Sequence, residues 1–343
     1  MNGAITLAGI SLAAIIAALT GAGLIDDPTP RRLAPCDKFA APWGRDSHVG
    51  SARRPYRSTQ RLVRALGQRN RVGCLRRGVY RGDVTMSRSH VTLRSQPGER
   101  ATIVGRLRIE DSANFVTVTR LRLDGRNSGG LPSPSVYGDD ALFRRVDVTN
   151  RHTEICFLLG SSERGRAYRT AIVQSRIHDC GELPPTNLDH GIYAARTEGA
   201  RIVGNLIYDN ADRGIKLGPD AQRTLVRRNI IDGNGTGITF SGDEGSASSD
   251  NIVEHNVIAN SQTRWNVESY FPSTTGSGNL AVGNCVWASN PRDYYRGGGG
   301  VESPDGFSVA DNVVAEPRYA DRDGDDFRLP AGSQCRRQLE EGE

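Results

Sequence analysis

The amino-acid sequence predicts an all-β fold, a single β-solenoid of stacked parallel coils. Three observations carry this. Gly191-Ile-Tyr-Ala, Gly214-Ile-Lys-Leu and Gly237-Ile-Thr-Phe recur 23 residues apart, and Asn266-Val-Glu-Ser follows 29 residues later. A second series runs in phase with the first and places Asn at 205, 229, 256, 284 and 312. Two short strands and an Asn turn per coil are the mark of a solenoid. The composition agrees: 40 of the 343 residues are Gly, only 2 are Met, and 37% are hydrophobic. Such proportions exclude a coiled coil, a polytopic membrane protein and a Leu-rich bundle. They are also too apolar for a disordered chain. The length then corresponds to one long repetitive domain and not to two ordinary ones.

Gly3 to Ile25 carries no charge and is long enough to cross a bilayer. Residues 1–25 therefore read as a signal peptide, with Thr20-Gly21-Ala22 as a cleavable pattern, or as an uncleaved membrane anchor over 3–25. Either reading exports the rest of the chain, so the expected location is secreted, or membrane-anchored by that segment. Residues 26–35, with three prolines, read as a linker. The solenoid domain is expected over 36–343, with an N-terminal cap over about 36–85.

Residues 58–68 carry a helical pattern. Ser58 or Thr59 caps it, Leu62, Val63 and Leu66 form the stripe, and Gly67 ends it. Such a helix can close the first coil, whose backbone would otherwise stay unpaired. Short strands follow, among them Val91-Thr-Leu, Ala101-Thr-Ile-Val, Leu107-Arg-Ile and Phe115-Val-Thr-Val. Stacked coils set successive strands about 4.8 Å apart. The five recurrent Asn can then form a hydrogen-bonded ladder, which is a structural task and not a catalytic one. Glu316 to Glu343, with Phe327-Arg-Leu and Cys335, suits the C-terminal cap. About 25 residues per coil predicts roughly eight to ten coils.

Six Cys in an exported chain permit three disulfides, and no Cys-x-x-Cys argues for zinc or redox chemistry. Sequence does not fix the connectivity. In a stacked coil near neighbours close the shortest loops, which favours Cys36–Cys74, Cys156–Cys180 and Cys285–Cys335.

The opening coils, Cys74-Leu-Arg-Arg-Gly-Val-Tyr, Ala101-Thr-Ile-Val-Gly and Leu121-Arg-Leu-Asp-Gly, resemble those of the chondroitinase B and alginate lyase group. The repeats as a whole, over about residues 58–330, resemble the right-handed parallel β-helix of the pectate-lyase-like superfamily. The resemblance implies handedness and fold. It is weaker for activity, because the scaffold serves lyases, hydrolases, epimerases and non-catalytic adhesins. It also implies an acidic polysaccharide as partner, and calcium as the one candidate cofactor, helping to hold a uronate.

Strand alternation places Ile192, Ala194, Ile215, Leu217, Ile238, Phe240 and Val267 inward. The outward columns are then Asp189, Asp212, Gly235 and Arg264; Gly191, Gly214, Gly237 and Asn266; and Tyr193, Lys216, Thr239 and Glu268. His190, Arg213, Thr236 and Trp265 begin the strands. A central Gly column between charged walls predicts a trough in which a sugar chain can lie.

β-Elimination on a uronate needs a cation to neutralise the carboxylate, a base for the C5 proton and an acid for the leaving oxygen. Arg213, Lys216 and Arg264 offer the first, His190 or Lys216 the second, and Tyr193 the third. The candidate catalytic residues are His190, Tyr193, Lys216 and Arg213. The candidate substrate-binding residues are Asp189, Asp212, Arg264, Trp265 and Glu268. Lys216 is one of only two Lys among 44 basic residues, the other being Lys38.

Asp189-His190-Gly191 followed by Arg213-Gly214-Ile215-Lys216 is also similar, by one residue too many, to the polygalacturonase-type pattern. Asp189 and Asp212 on adjacent coils would lie about 5 Å apart, a separation that suits a retaining hydrolase. The first reading is a polysaccharide lyase. A non-catalytic glycan-binding protein and a glycoside hydrolase are the alternatives.

Two features complete the sequence. Asp321-Arg-Asp-Gly-Asp-Asp looks like half a calcium loop, but no Glu follows at the needed spacing, so an acidic turn is the plainer reading and no metal ligand is assigned. Residues 45–108 hold 16 Arg against Asp46, Asp83 and Glu99. With only Tyr56 and Tyr80 among them, this is not a nucleic-acid surface. A solvated cap or a surface for an anionic glycan remains. The protein is expected to act as a monomer.

Overall fold

The computed structural model describes residues 33–243, 245–288 and 299–341. The expected signal peptide or anchor lies outside the described residues, as does most of the linker. Among the described residues no helix is long and apolar enough to cross a membrane.

Cys36–Glu343 is one compact unit, an all-β solenoid of about nine turns. Three long sheets run its length. The first has 11 strands, from Lys38–Ala40 to Phe307–Ala310, and the third has 10, from Gly78–Arg81 to Val313–Val314. The second also has 10 and begins at Val84–Met86. Among the described residues all ladders are parallel except that of Ser246–Ala247 against Thr236–Asp243.

Each sheet sends one column of β-branched or small apolar side chains inward. In the first, Ile172, Ile202, Val226, Val253 and Ala281 lie in register. In the third, Ile177, Ile207, Ile231, Ile258 and Val286 do so. All ten are buried. Burying each Ile or Val contributes about 1.5–3 kcal/mol. The seven residues placed inward in the second sheet are likewise buried.

The Asn ladder forms as the spacing predicts. Asn205, Asn229, Asn256 and Asn284 each donate from Nδ2 to the next Oδ1 at 2.9 Å, ending on Asn312. Two further rungs were not singled out in the sequence, Asn210 to Asn234 at 2.7 Å and Asn251 to Asn279 at 2.8 Å.

The N-terminal helix, α1 (Thr59–Arg64), is capped by Ser58, whose side chain accepts from the Arg61 N–H. It ends at Ala65, two residues before the Gly67 expected to stop it. It closes the edge of the second sheet chemically: Thr85 N donates to Gln60 Oε1 at 2.7 Å, and Gln60 Nε2 donates to Thr85 O at 3.3 Å. A second helix, α2 (Gln334–Glu340), has no apolar stripe that would announce it and is held through buried Cys335. The segment before it packs Tyr319, Phe327 and Leu329 on the outer face of the third sheet, against Tyr208, Ile230 and Val257.

The disulfides are Cys36–Cys74, Cys156–Cys180 and Cys285–Cys335, as loop length favours. Separations of 24 to 50 residues correspond to about 3–4 kcal/mol each from restricting the unfolded chain.

Candidate functional site

Five consecutive strands of the second sheet frame the site: β1 (Phe157–Leu159), β2 (Ile192–Glu198), β3 (Arg213–Gln222), β4 (Thr236–Asp243) and β5 (Val267–Tyr270). Their register aligns Leu158, Tyr193, Lys216, Thr239 and Glu268 in one column. The last four are the outward column that alternation predicts.

Outward does not mean accessible throughout. Tyr193 and Lys216 are half-buried, whereas Thr239 and Glu268 are fully enclosed. Arg213 and Asp212 are only 3% exposed and His190 is 0% exposed. The expectation of a charged, open wall is corrected here. A buried polar network closes that side.

Arg213 organises the network. Its Nη1 donates to Asn187 O at 3.0 Å and pairs closely with Asp212. Its Nε donates to Thr239 Oγ1 at 3.1 Å and lies 3.8 Å from Glu268 Oε1. Thr239 donates onward to Glu268 at 2.9 Å, and Arg264 clamps that carboxylate through Nε at 3.0 Å and Nη2 at 2.9 Å. Burial holds the Glu268 carboxyl above its usual range despite Arg264 and Arg213. At Asp212 burial pushes the same way, but the His190 contact and the Arg213 charge outweigh it, so it stays below the usual range.

His190 Nδ1 lies 3.5 Å from Asp212 Oδ2, longer than an ordinary hydrogen bond, and neither ring nitrogen finds a hydrogen-bond partner. Its ring meets Tyr193 edge-on at 5.1 Å. Burial pushes its pKa down to about 4; Asp212 opposes this, and the Lys216 and Arg213 charges add to it. His190 is thus a neutral imidazole, fully buried beside Tyr193. It does not present a nitrogen to a ligand.

Lys216 is the opposite. Its ammonium stands 5.0 Å above the Tyr193 ring centroid and makes no ion pair among the described residues. Burial, then the Arg213 charge, lowers its pKa to about 8, with Asp212 and Asp243 pulling back. Those two acids do not restore the ordinary value, because burial is the larger effect and the Arg213 charge adds to it.

Asp189 serves the loop beside the site. Its carboxylate accepts from Glu182 N at 2.8 Å, Thr186 N at 2.6 Å and Thr186 Oγ1 at 2.7 Å. This is the turn-fixing role of an Asp before a strand. Asp189 and Asp212 therefore face different partners. Trp265 is half-buried, and its carbonyl accepts from Gly237 N.

The trough on a Gly column is also corrected. A Cβ on Gly191 would stand 2.9 Å from Asn210 Nδ2 and 2.8 Å from Gly214 O. One on Gly214 would stand 2.9 Å from Asn234 Nδ2. The glycines make room for the Asn210–Asn234 rung, not for a sugar. Of the predicted outward column, Tyr193 and Lys216 are the two that stay partly accessible.

Sequence reasoning missed a buried acid further along the strand of Lys216. Asp220, at the far end of β3, accepts from Arg166 Nη2 at 2.6 Å and lies 3.4 Å from Arg196 Nε. A register shift between Ala194 and Arg196 breaks the alternation that would have aligned it. Among the described residues no group of three or more His, Cys, Asp or Glu could hold a metal ion. The Asp321–Asp326 turn binds itself: Gly324 N donates to Asp321 Oδ1 at 3.1 Å, and Arg322 reaches Asp209 and Asp232, both at 2.5 Å.

Residues 109–313 match the family described as the right handed beta helix region, and the chain belongs to that family. The solenoid is therefore a right-handed parallel β-helix. Among solved structures it is similar to a rhamnogalacturonan lyase, at 10% identity and a TM-score of 0.56, over 86% of this chain and 95% of the other. It is also similar to the pectate lyase Pel9A, at 15% identity and a TM-score of 0.53, over 86% and 89%. These likenesses carry the fold. No curated protein matches the sequence.

Proposed function

We propose that the protein is an exported polysaccharide lyase that cleaves a uronate-containing glycan by β-elimination, with Lys216 as the base. The observation that carries the reading is Lys216 itself, a half-buried amine with no ion pair among the described residues and a pKa lowered to about 8, over a tyrosine on an outward column. A base works best when its pKa lies near the working pH.

In the proposed reaction, neutral Lys216 Nζ takes the C5 proton of a 4-linked uronate. The C–H electrons form the C4=C5 double bond, and the glycosidic oxygen leaves C4 with a proton from the Tyr193 hydroxyl. Arg264, paired with Glu268 through Nε and Nη2 but 39% exposed in its side chain, is the cation assigned in this reading to offset the substrate carboxylate. Arg213, enclosed and occupied by four partners, acts through Lys216 by keeping its pKa low. His190 and Asp212 position Arg213 and Tyr193 from behind.

A hydrolase would need two carboxyl groups facing the sugar. Asp189 and Asp212 are both engaged elsewhere, which removes support from that alternative. Three disulfides support an oxidising, extracellular setting.

The test is Lys216→Ala and Tyr193→Phe, each checked for an intact fold by circular dichroism and assayed for unsaturated product. Loss of general acid–base catalysis predicts a drop of about 10²–10⁴-fold in turnover. Full activity in a folded Lys216→Ala protein would overturn the assignment.

A further inference from the structure

A second concentration of positive charge lies on a different part of the molecule, where the first sheet turns into the third. There, residues Gln96 to Arg100 and the short turns at Arg120 and Arg145 line a partly open cavity of about 340 Å³. Arg100, Arg120 and Arg145 all line it, and all three are exposed. Arg120 and Arg145 sit on successive coils, joined by the Arg120 N to Arg144 O hydrogen bond of 3.2 Å. Their backbones are thus about 4.8 Å apart along the axis.

The cavity also contains two acids, Glu99 and Asp147. Both are committed elsewhere. Glu99 binds Arg76 Nε at 2.7 Å and Arg77 N at 2.5 Å. Asp147 lies 3.3 Å from His178 Nε2 and 3.8 Å from Arg122 Nε. The three cavity arginines make no ion pair among the described residues; the Arg145 side chain donates to the neutral Gln174 Oε1, at 3.1 Å.

Arg94 lies close by, 2% exposed, and its guanidinium is held below its ordinary pKa by burial and then by the Arg120 charge. That second cause puts the Arg120 charge within reach of the Arg94 guanidinium. Gln96, also lining the cavity, has a buried Oε1 without a hydrogen-bond partner. Unpaired guanidinium groups converging on a cavity are suited to oxyanions, which they bind through two parallel N–H donors.

We propose that this corner is a second, non-catalytic site that binds carboxylates of an acidic polysaccharide, with Arg100, Arg120 and Arg145 as its ligands. A chain held there would raise the local concentration of substrate at the groove of the second sheet. The site does not depend on the chemistry assigned to Lys216. It also gives the Arg-rich early coils a task.

The experiment is isothermal titration of the full chain with hexameric oligogalacturonate and oligomannuronate. It compares the wild type, Arg120→Ala/Arg145→Ala, and the charge-conserving Arg120→Lys/Arg145→Lys as a fold control. Lys216→Ala serves as the background in which no substrate is consumed. At least one of the two oligomers is expected to bind with two sites in the Lys216→Ala chain. One of those sites should weaken at least tenfold in the alanine pair and partly return in the lysine pair. Binding at that site should also weaken as ionic strength rises. Equal binding in the alanine pair and its parent, or one site in both, would overturn the proposal. A short DNA duplex displacing the oligomers at equal charge would overturn the assignment to a glycan. If Lys216 proves not to be a base, the corner site still binds, so the two failures are distinguishable.

Discussion

The Lys216 amine sets a pH dependence that can be calculated before any substrate is known. With a pKa of about 8, the neutral amine makes up roughly 9% of the protein at pH 7, half at pH 8 and roughly 91% at pH 9. At the ordinary value of 10.5 those fractions at pH 7 and 8 would be roughly 0.03% and 0.3%. The rate of double-bond formation should therefore rise about tenfold from pH 6 to 7 and level off above pH 8–9. Lys216→Arg is the sharpest perturbation. It keeps the positive charge over Tyr193 but stays protonated across the whole range. It should lose about 10²–10⁴-fold in turnover at pH 8 and lose the inflection as well. The assay is initial-rate ultraviolet absorbance of the unsaturated product in a series of buffers at constant ionic strength. An unchanged inflection in a folded, active Lys216→Arg protein would refute the reasoning, because another group would then be taking the proton.

Three further outcomes follow from the same structure. His190 and His178 should titrate in opposite directions. Burial drives His190 to about 4. His178 rises to about 9, because hydrogen bonds to Asp147 and Asp179 overcome a larger burial effect. The His190 contribution to stability should then be lost as pH falls from 6.5 through 4, and the His178 contribution as pH rises from 6.5 through 9; ring-proton NMR titration of the wild type, with each His→Gln variant assigning its resonance by loss, checks the two pKa values, and urea unfolding of wild type against variant across pH checks the two contributions. Asn256→Ala should destabilise by about 2–4 kcal/mol in urea, because Asn229 loses the acceptor for its N–H and Nδ2, both at 2.9 Å; a change under 1 kcal/mol would deny the ladder its structural weight. Reducing or replacing Cys156–Cys180, which closes 24 residues beside the site, should cost about 3 kcal/mol by the same measurement, with a lower thermal midpoint.

What the sequence disclosed and what it hid have a common physical cause. The strand period and the coil length are local quantities, so the column Tyr193–Lys216–Thr239–Glu268 could be read from spacing alone. So could the inward Ile192, Ile215 and Ile238, and the five-Asn ladder. The disulfides were accessible because a stacked coil makes loop length a guide to proximity. Exposure was not readable. Whether Thr239 and Glu268 meet solvent depends on Arg264, and the seal over Arg213 depends on Asn187 in a loop whose course no periodicity encodes. The Gly column misled for a related reason. Its glycines answer to Asn210 and Asn234 on the following turn, a neighbour visible only once coils are stacked. Asp220 escaped because a bulge precedes its partner Arg196. The C-terminal segment docks through Tyr319, Phe327 and Leu329, too widely spaced to form a pattern.

The central claim is that this groove eliminates and does not hydrolyse or merely hold a uronate chain. The most direct measurement is product analysis of the full chain on polygalacturonate, alginate and glycosaminoglycans, following ultraviolet absorbance and reducing ends in parallel. The account predicts that both rise together on at least one of them, with absorbance matching the number of new ends. New reducing ends without absorbance would contradict it in favour of hydrolysis, and binding with neither would contradict catalysis altogether.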